Sequence, residues 1–308
     1  MRNAFVRAIT EAAAADPRVM LLTGDLGFKL FDDFARRFPG RFVNAGVAES
    51  NMTGVAAGLA LEGRRPFIYS IVPFVTFRVY EQIRNDVCYH RARVVVVGVG
   101  GGYSYGMNGA THHSLEDIAV MRQLANMTVL CPGDPHETEA AVRALASHDG
   151  PAYLRLGRAG EPVVHPGPVD LEIGRAIRVR DGSDAAILVT GNMLPVAVAA
   201  AALLAESGVA CRVVSLPTVK PLDAAAVEAA ARETRALVTL EEHYRTGGLG
   251  GAVAELLAES GIPARFRRLG AADGFAHVCG DQEHLRALHG LTPPAVAGEI
   301  RRLLGEAR

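Results

Sequence analysis

Apolar residues come in two rhythms along this chain. Short, nearly continuous runs such as Val94 to Val97 give way to turns, and the turns to alanine-rich stretches with helical spacing. A run that is apolar on both faces suits a central strand covered by helices on either side. Repeated alternation of such runs with helices predicts α/β architecture with mainly parallel sheets. In the first half the runs predict strands at Val19 to Thr23, Phe42 to Asn44, Arg65 to Tyr69, Val94 to Val99, Thr128 to Cys131 and Ala152 to Arg155. Between Gly157 and Asp170, three prolines and three glycines interrupt the pattern and read as a linker. The alternation then restarts with strands at Ala185 to Thr190, Ala210 to Ser215 and Ala236 to Leu240, and helices over Pro195 to Glu206 and Ala224 to Glu233. Two α/β domains are expected, residues 1–165 and a smaller one over 166–308.

A length of 308 residues agrees with two cores rather than one. Hydrophobic residues make up 49% and charged residues 21%, which places the chain among globular proteins. The net charge of −1 offers no field to gather nucleic acid or an anionic membrane, so neither is expected as a partner. Cys88, Cys131, Cys211 and Cys279 lie far apart without a CxxC pair, which argues against a zinc site or a disulfide framework and for a reducing cytoplasm. The longest apolar stretch, Val196 to Ala205, is about half of what a membrane span needs.

Three segments that follow expected strands carry candidate chemistry, and open α/β sheets bind ligands at the carboxyl ends of their strands. In NAGVAES, Glu49 stands where a strand turns into a helix of small residues. There a carboxylate either complements the helix dipole or serves a ligand. In Phe74-Val75-Thr76-Phe77-Arg78-Val79-Tyr80, aromatics recur every third residue, so a helix would align them on one face as core or as a pocket wall. The third segment runs from Gly98 to His113. Its glycines permit close backbone approach, but Tyr103 stands where a dinucleotide fingerprint needs glycine. His112 and His113 have only Glu116 and Asp117 near them, a poor metal set.

Taken in order, GDLG, GVAES, the aromatic triplet, NGATHHSLEDIA, LANMTVLCPGD and LEEHYRTGGLGGAVAE resemble the pyrimidine-binding and C-terminal domains of the transketolase family, over essentially the whole chain. The resemblance implies thiamine diphosphate as cofactor. It makes Glu49 the acid that bonds a ring nitrogen of the aminopyrimidine and promotes its imino tautomer. It gives Phe74, Phe77 and Tyr80 the pyrimidine pocket, and places Asp25 near the thiazolium. His112 becomes the histidine that contacts donor hydroxyls and moves protons, and Arg2 and Arg158 align with phosphate-gripping arginines. The family's diphosphate domain, with its GDG…N magnesium signature, has no counterpart here. The resemblance therefore implies a split enzyme: a separate N-terminal subunit supplies the diphosphate and Mg2+ site, in an α2β2 assembly, and this chain supplies no metal ligand.

Departures from the family pattern bear on the substrate. Asn108 replaces an aspartate that reads a donor hydroxyl, His113 a glutamine, Gly100 a phosphate-binding histidine and Lys29 a serine. The expected substrate is a sugar or sugar-like molecule whose anionic end is gripped differently. Rival readings are the β-type subunit of a 2-oxo-acid dehydrogenase, an acyloin-forming synthase and a non-catalytic α/β regulatory subunit. The THHSLED loop disfavours the first, and Glu49 with the aromatic triplet disfavours the last. Gly247 to Gly251, and His243 beside Glu241 and Glu242, are expected to serve packing.

Overall fold

A computed structural model describes residues 1–305. It contains twelve strands: β1 Val19–Thr23, β2 Phe42–Asn44, β3 Arg65–Ile71, β4 Val95–Val99, β5 Thr128–Leu130, β6 Ala152–Leu156, β7 Ile177–Arg180, β8 Ala185–Val189, β9 Cys211–Ser215, β10 Thr218–Lys220, β11 Ala236–Tyr244 and β12 Phe266–Ala271. A seven-stranded sheet has the order β10-β5-β6-β4-β3-β1-β2, and a five-stranded sheet the order β12-β11-β8-β9-β7. Both are α/β sheets, and all pairings are parallel except β10 with β5 and β7 with β9.

Burial explains the strands. Every residue of β1, β4, β6, β8 and β9 is buried, because helices cover each sheet on both faces. On one face of the large sheet Met20, Leu22, Ile68, Val94 and Val96 pack with Met52 and Ala56 of helix Glu49–Leu61. On the other, Leu21, Phe67, Val95 and Val97 pack with Phe5 and Ile9 of helix Arg2–Ala15. The small sheet is covered likewise by helices Leu194–Glu206 and Pro293–Leu304 on one side. Helices Ala224–Glu233 and Leu249–Ser260 cover the other.

The linker is irregular but anchored. Asp134 caps helix Pro135–Ser147 through the Glu137 N–H (2.9 Å), and its other oxygen accepts the Val164 and His165 N–H groups. His165 Nε2 meets Glu137 Oε1 at 2.9 Å, and that contact raises the imidazole pKa above its ordinary value.

A buried polar cluster ties the halves together. Arg155 on β6 donates to both oxygens of Asp117 (2.7 and 3.1 Å) and to the Ser114 and Glu242 carbonyls, each at 3.0 Å. Tyr153 Oη donates to the same carboxylate at 2.7 Å. Burial pushes the Asp117 carboxyl up, but the adjacent guanidinium more than offsets this and holds it below the usual range. Glu242 of β11 accepts from the Tyr103 N–H, from Gln282 and from Arg286, so the second domain grips the glycine-rich loop that follows β4. Glu241 accepts the Leu249 and Gly250 N–H groups at the start of the next helix, and His243 contacts the Ala119 N–H. These three side chains therefore serve packing and helix capping.

Candidate active site

Five loops meet at the carboxyl edge of the large sheet. GDLG follows β1, Glu49 follows β2, Phe74 follows β3, the glycine-rich loop follows β4 and Arg158 follows β6. The parallel order of these strands gathers residues that lie more than a hundred positions apart in sequence.

Glu49 is the first residue of helix Glu49–Leu61 and is only 2% exposed. Its oxygens have different partners. Ser70 Oγ at the end of β3 donates to Oε1 at 2.9 Å, and Arg78 Nη1 donates to Oε2 at 3.2 Å. The carboxyl packs against Gly24, where a Cβ would stand 3.1 Å from Oε1. Burying a carboxylate is costly unless it is bonded and paired, and here a neutral hydroxyl and a half-exposed arginine share that task.

Arg78 extends the site. Its guanidinium lies over the Phe74 ring, 4.6 Å from the centroid, and the Phe74 ring meets the edge of His112 at 5.4 Å. His112 Nδ1 contacts Thr111 Oγ1 at 3.0 Å, which leaves Nε2 as the nitrogen for another partner. The other flank of His112 faces Tyr105 at 6.3 Å, and Arg158 lies over the Tyr105 ring at 5.3 Å. Arg2, at the start of its helix, is near enough to act electrostatically on the Tyr105 phenol, and its Nε is buried without a hydrogen-bond partner among the described residues. A line of contacts thus runs from Glu49 through Arg78, Phe74, His112 and Tyr105 to Arg158.

The remaining sequence candidates sit around this line. The aromatic triplet does not form one helical face, because the segment breaks into the helical turn Val72–Val75, a turn, Tyr80–Gln82 and the π-helical turn Ile83–Tyr89. Phe74 therefore joins the site, Phe77 is 36% exposed, and Tyr80 anchors its hydroxyl on the Val120 carbonyl at 3.0 Å. Asp25 adopts a left-handed backbone (φ 58°). Asn44 Nδ2 donates to Asp25 Oδ1 at 2.9 Å, and Asn44 Oδ1 accepts from the Asp25 and Gly46 N–H groups, which ties the loops after β1 and β2 together. Lys29 is exposed with a φ of 63°. Asn108 is exposed at the end of the turn Gly106–Asn108. His113 is buried against the Gly106 carbonyl and the Tyr103 ring, so it holds the loop from within. Among the described residues, no three His, Cys, Asp or Glu side chains gather as metal ligands, and no helix is long and apolar enough to cross a membrane.

Sequence reasoning missed Ser70, Arg78 and Tyr105. Arg78 had a signal: it stands four residues after Phe74, a spacing that brings side chains together on a helical turn. Nothing in the sequence marked Ser70, which is a strand residue facing Glu49 from 21 positions away.

Comparison with known proteins bears on the same elements. Residues 1–160 match the family model described as transketolase, pyrimidine binding domain, and residues 174–296 the one described as transketolase, C-terminal domain. The chain is 38% identical over 267 residues to a subunit of the apulose-4-phosphate transketolase of Phocaeicola vulgatus, covering 86% of each chain. It is 39% identical to the 6-deoxy-6-sulfo-D-fructose transketolase subunit SqwH of a Clostridium species, covering 95% of this chain and 90% of that one. A solved structure of a split gene transketolase, an inactive beta4 tetramer, superposes with a TM-score of 0.90 at 38% identity, covering 100% of this chain and 98% of that chain.

Proposed function

The chain belongs to the transketolase family as a C-terminal section of the split, thiamine-diphosphate-dependent kind, and from that premise we propose that it helps transfer a ketol unit from a ketose donor to an aldose or aldehyde acceptor. The observation that carries this reading is Glu49, a buried carboxylate held by Ser70 on one oxygen and by a half-exposed arginine on the other. The surroundings fit the cofactor's pyrimidine end: an enclosed acid, a glycine that leaves it room and an aromatic ring nearby.

Thiamine diphosphate, when bound, supplies the electron sink that allows a carbon–carbon bond beside a carbonyl to break. Glu49 would hold a proton for a pyrimidine nitrogen, and enclosure strengthens that interaction. Phe74, Phe77 and Tyr80 would provide the aromatic walls, and Asp25 the acid on the thiazolium side. His112 Nε2 would exchange protons with a donor hydroxyl, and Asn108 would read that hydroxyl's configuration. Arg2, Lys29 and Arg158 would receive an anionic end of the substrate, as a guanidinium pair suits. The names of two relatives specify a sugar phosphate and a sulfo-sugar, which supports an anion-bearing substrate. A separate N-terminal subunit would hold the diphosphate and Mg2+, in an α2β2 assembly.

The test is reconstitution. The chain alone should be inactive; with its partner subunit, thiamine diphosphate and Mg2+, it should convert a ketose and an aldehyde to a new ketose without releasing carbon dioxide. Turnover by the isolated chain would sink the two-chain reading, and carbon dioxide release would reassign the enzyme to a decarboxylating class.

A further inference from the structure

Tyr105 lies between His112 and Arg158 of the site, yet no sequence motif singled it out. Gly100 makes its position possible. At a φ of +86° a Cβ on residue 100 would collide with Cε2 and Cδ2 of Tyr105, so the ring rests directly on the loop backbone. Arg158 covers the ring and His112 stands at its edge. The placement is fixed by packing, because Tyr105 also contacts the core beneath helix Arg2–Ala15.

Its hydroxyl is the unusual part. Among the described residues no side-chain hydrogen bond uses it, and it is not one of their buried unpartnered atoms, so it is open to a partner from outside the chain. Burial raises the phenol pKa, against the pull of Arg158 and Arg2, so the group is a neutral O–H donor at physiological pH. A neutral donor beside the Arg158 guanidinium, with Arg2 near enough to act on it electrostatically, complements an acceptor-rich anion.

The geometry points to Tyr105 as a specificity-determining residue, whose hydroxyl donates to a tetrahedral oxyanion, a phosphate or sulfonate, held by Arg2 and Arg158 at the far end of the substrate. This inference rests on the functional reading above. It adds a neutral donor to a cationic subsite and assigns it the preference for anion-bearing over unsubstituted sugars.

The experiment compares the two-subunit enzyme with its Tyr105→Phe variant on three acceptors: an aldose phosphate, the same aldose unphosphorylated and a sulfonated analogue. Loss of one hydrogen bond to a charged group should lower the kcat/KM preference for the anionic acceptor about tenfold. A drop with both anions identifies the shared oxyanion chemistry, and a drop with only one identifies the anion selected. An unchanged preference with both would overturn the inference, including the case where all three acceptors slow equally. If the wild-type complex transfers no ketol unit, the functional reading fails, but Tyr105 is still tested by titrating inorganic phosphate into the full-length chain and following its melting temperature. Weaker protection of Tyr105→Phe than of wild type supports the assignment, and equal or absent protection in both overturns it.

Discussion

Gly24 and Glu49 are matched so closely that a side chain on the first would press on the second: a Cβ on residue 24 would stand 3.1 Å from Glu49 Oε1 and 3.3 Å from its Cδ and Cγ. Such contacts force a shift of a few tenths of an ångström, and catalytic geometry is sensitive on that scale. Gly24→Ala should lower kcat/KM of the reconstituted enzyme about tenfold and move the melting temperature little, because the displaced group is a single carboxyl. Steady-state kinetics with a melting curve checks both halves of this expectation.

Removing the charge without changing the shape separates packing from proton transfer. Glu49→Gln keeps an acceptor for Ser70 but cannot hold the acidic proton, and should cost about 10² to 10⁴ in rate. Circular dichroism should remain that of the wild type. An unaffected rate would remove Glu49 from the chemistry.

Asp117 balances a guanidinium that is nearly without solvent, with its side chain 4% exposed. Asp117→Asn leaves Arg155 charged and uncompensated, a situation that costs about 3–5 kcal/mol. Urea unfolding of the full-length chain should show this as a lower midpoint. Because Arg155 also bonds the Ser114 and Glu242 carbonyls, the variant should lose protection from hydrogen exchange at both places.

His165 gives a signed dependence on pH. Its hydrogen bond with Glu137 raises the folded-state pKa above 6.5, so the stabilisation is complete below pH 6.5 and disappears as pH rises through the raised value. Urea midpoints measured upward from pH 6 should fall for the wild type relative to His165→Gln, which lacks the titrating group. Parallel profiles would show that the pair contributes nothing to pH-linked stability.

The sequence revealed those parts of the fold that are buried on both sides. Continuous apolar runs mark β4 and β8 because parallel central strands face helices above and below. It missed β7, β10 and β12, which are edges. Arg178 and Arg180 lie in β7, Lys220 ends β10, and Arg267 and Arg268 lie in β12, so charged residues dilute the apolar signal where one side of a strand meets solvent. The aromatic triplet suggested one helix, but three-residue spacing says nothing of the breaks after Val75 and before Tyr80. Glu49 and His112 were legible as candidates because each sits in a dense local motif. Arg78 and Tyr105 were not, because their meaning lies in neighbours that only the folded sheet brings near.

The strand Thr218–Lys220 comes from the second half of the chain, yet it closes the edge of the first sheet against Thr128–Leu130. Lys220 Nζ secures it on the Arg122 and Leu124 carbonyls, and the Cys131 N–H donates to the Pro217 carbonyl. A gene cut at the linker would therefore not yield two self-sufficient modules. The first would expose a raw strand edge, open to pairing with any extended segment it met. Recombination that exchanges these halves between relatives must carry this short strand's pairing across the break, which favours inheriting the two domains as one piece.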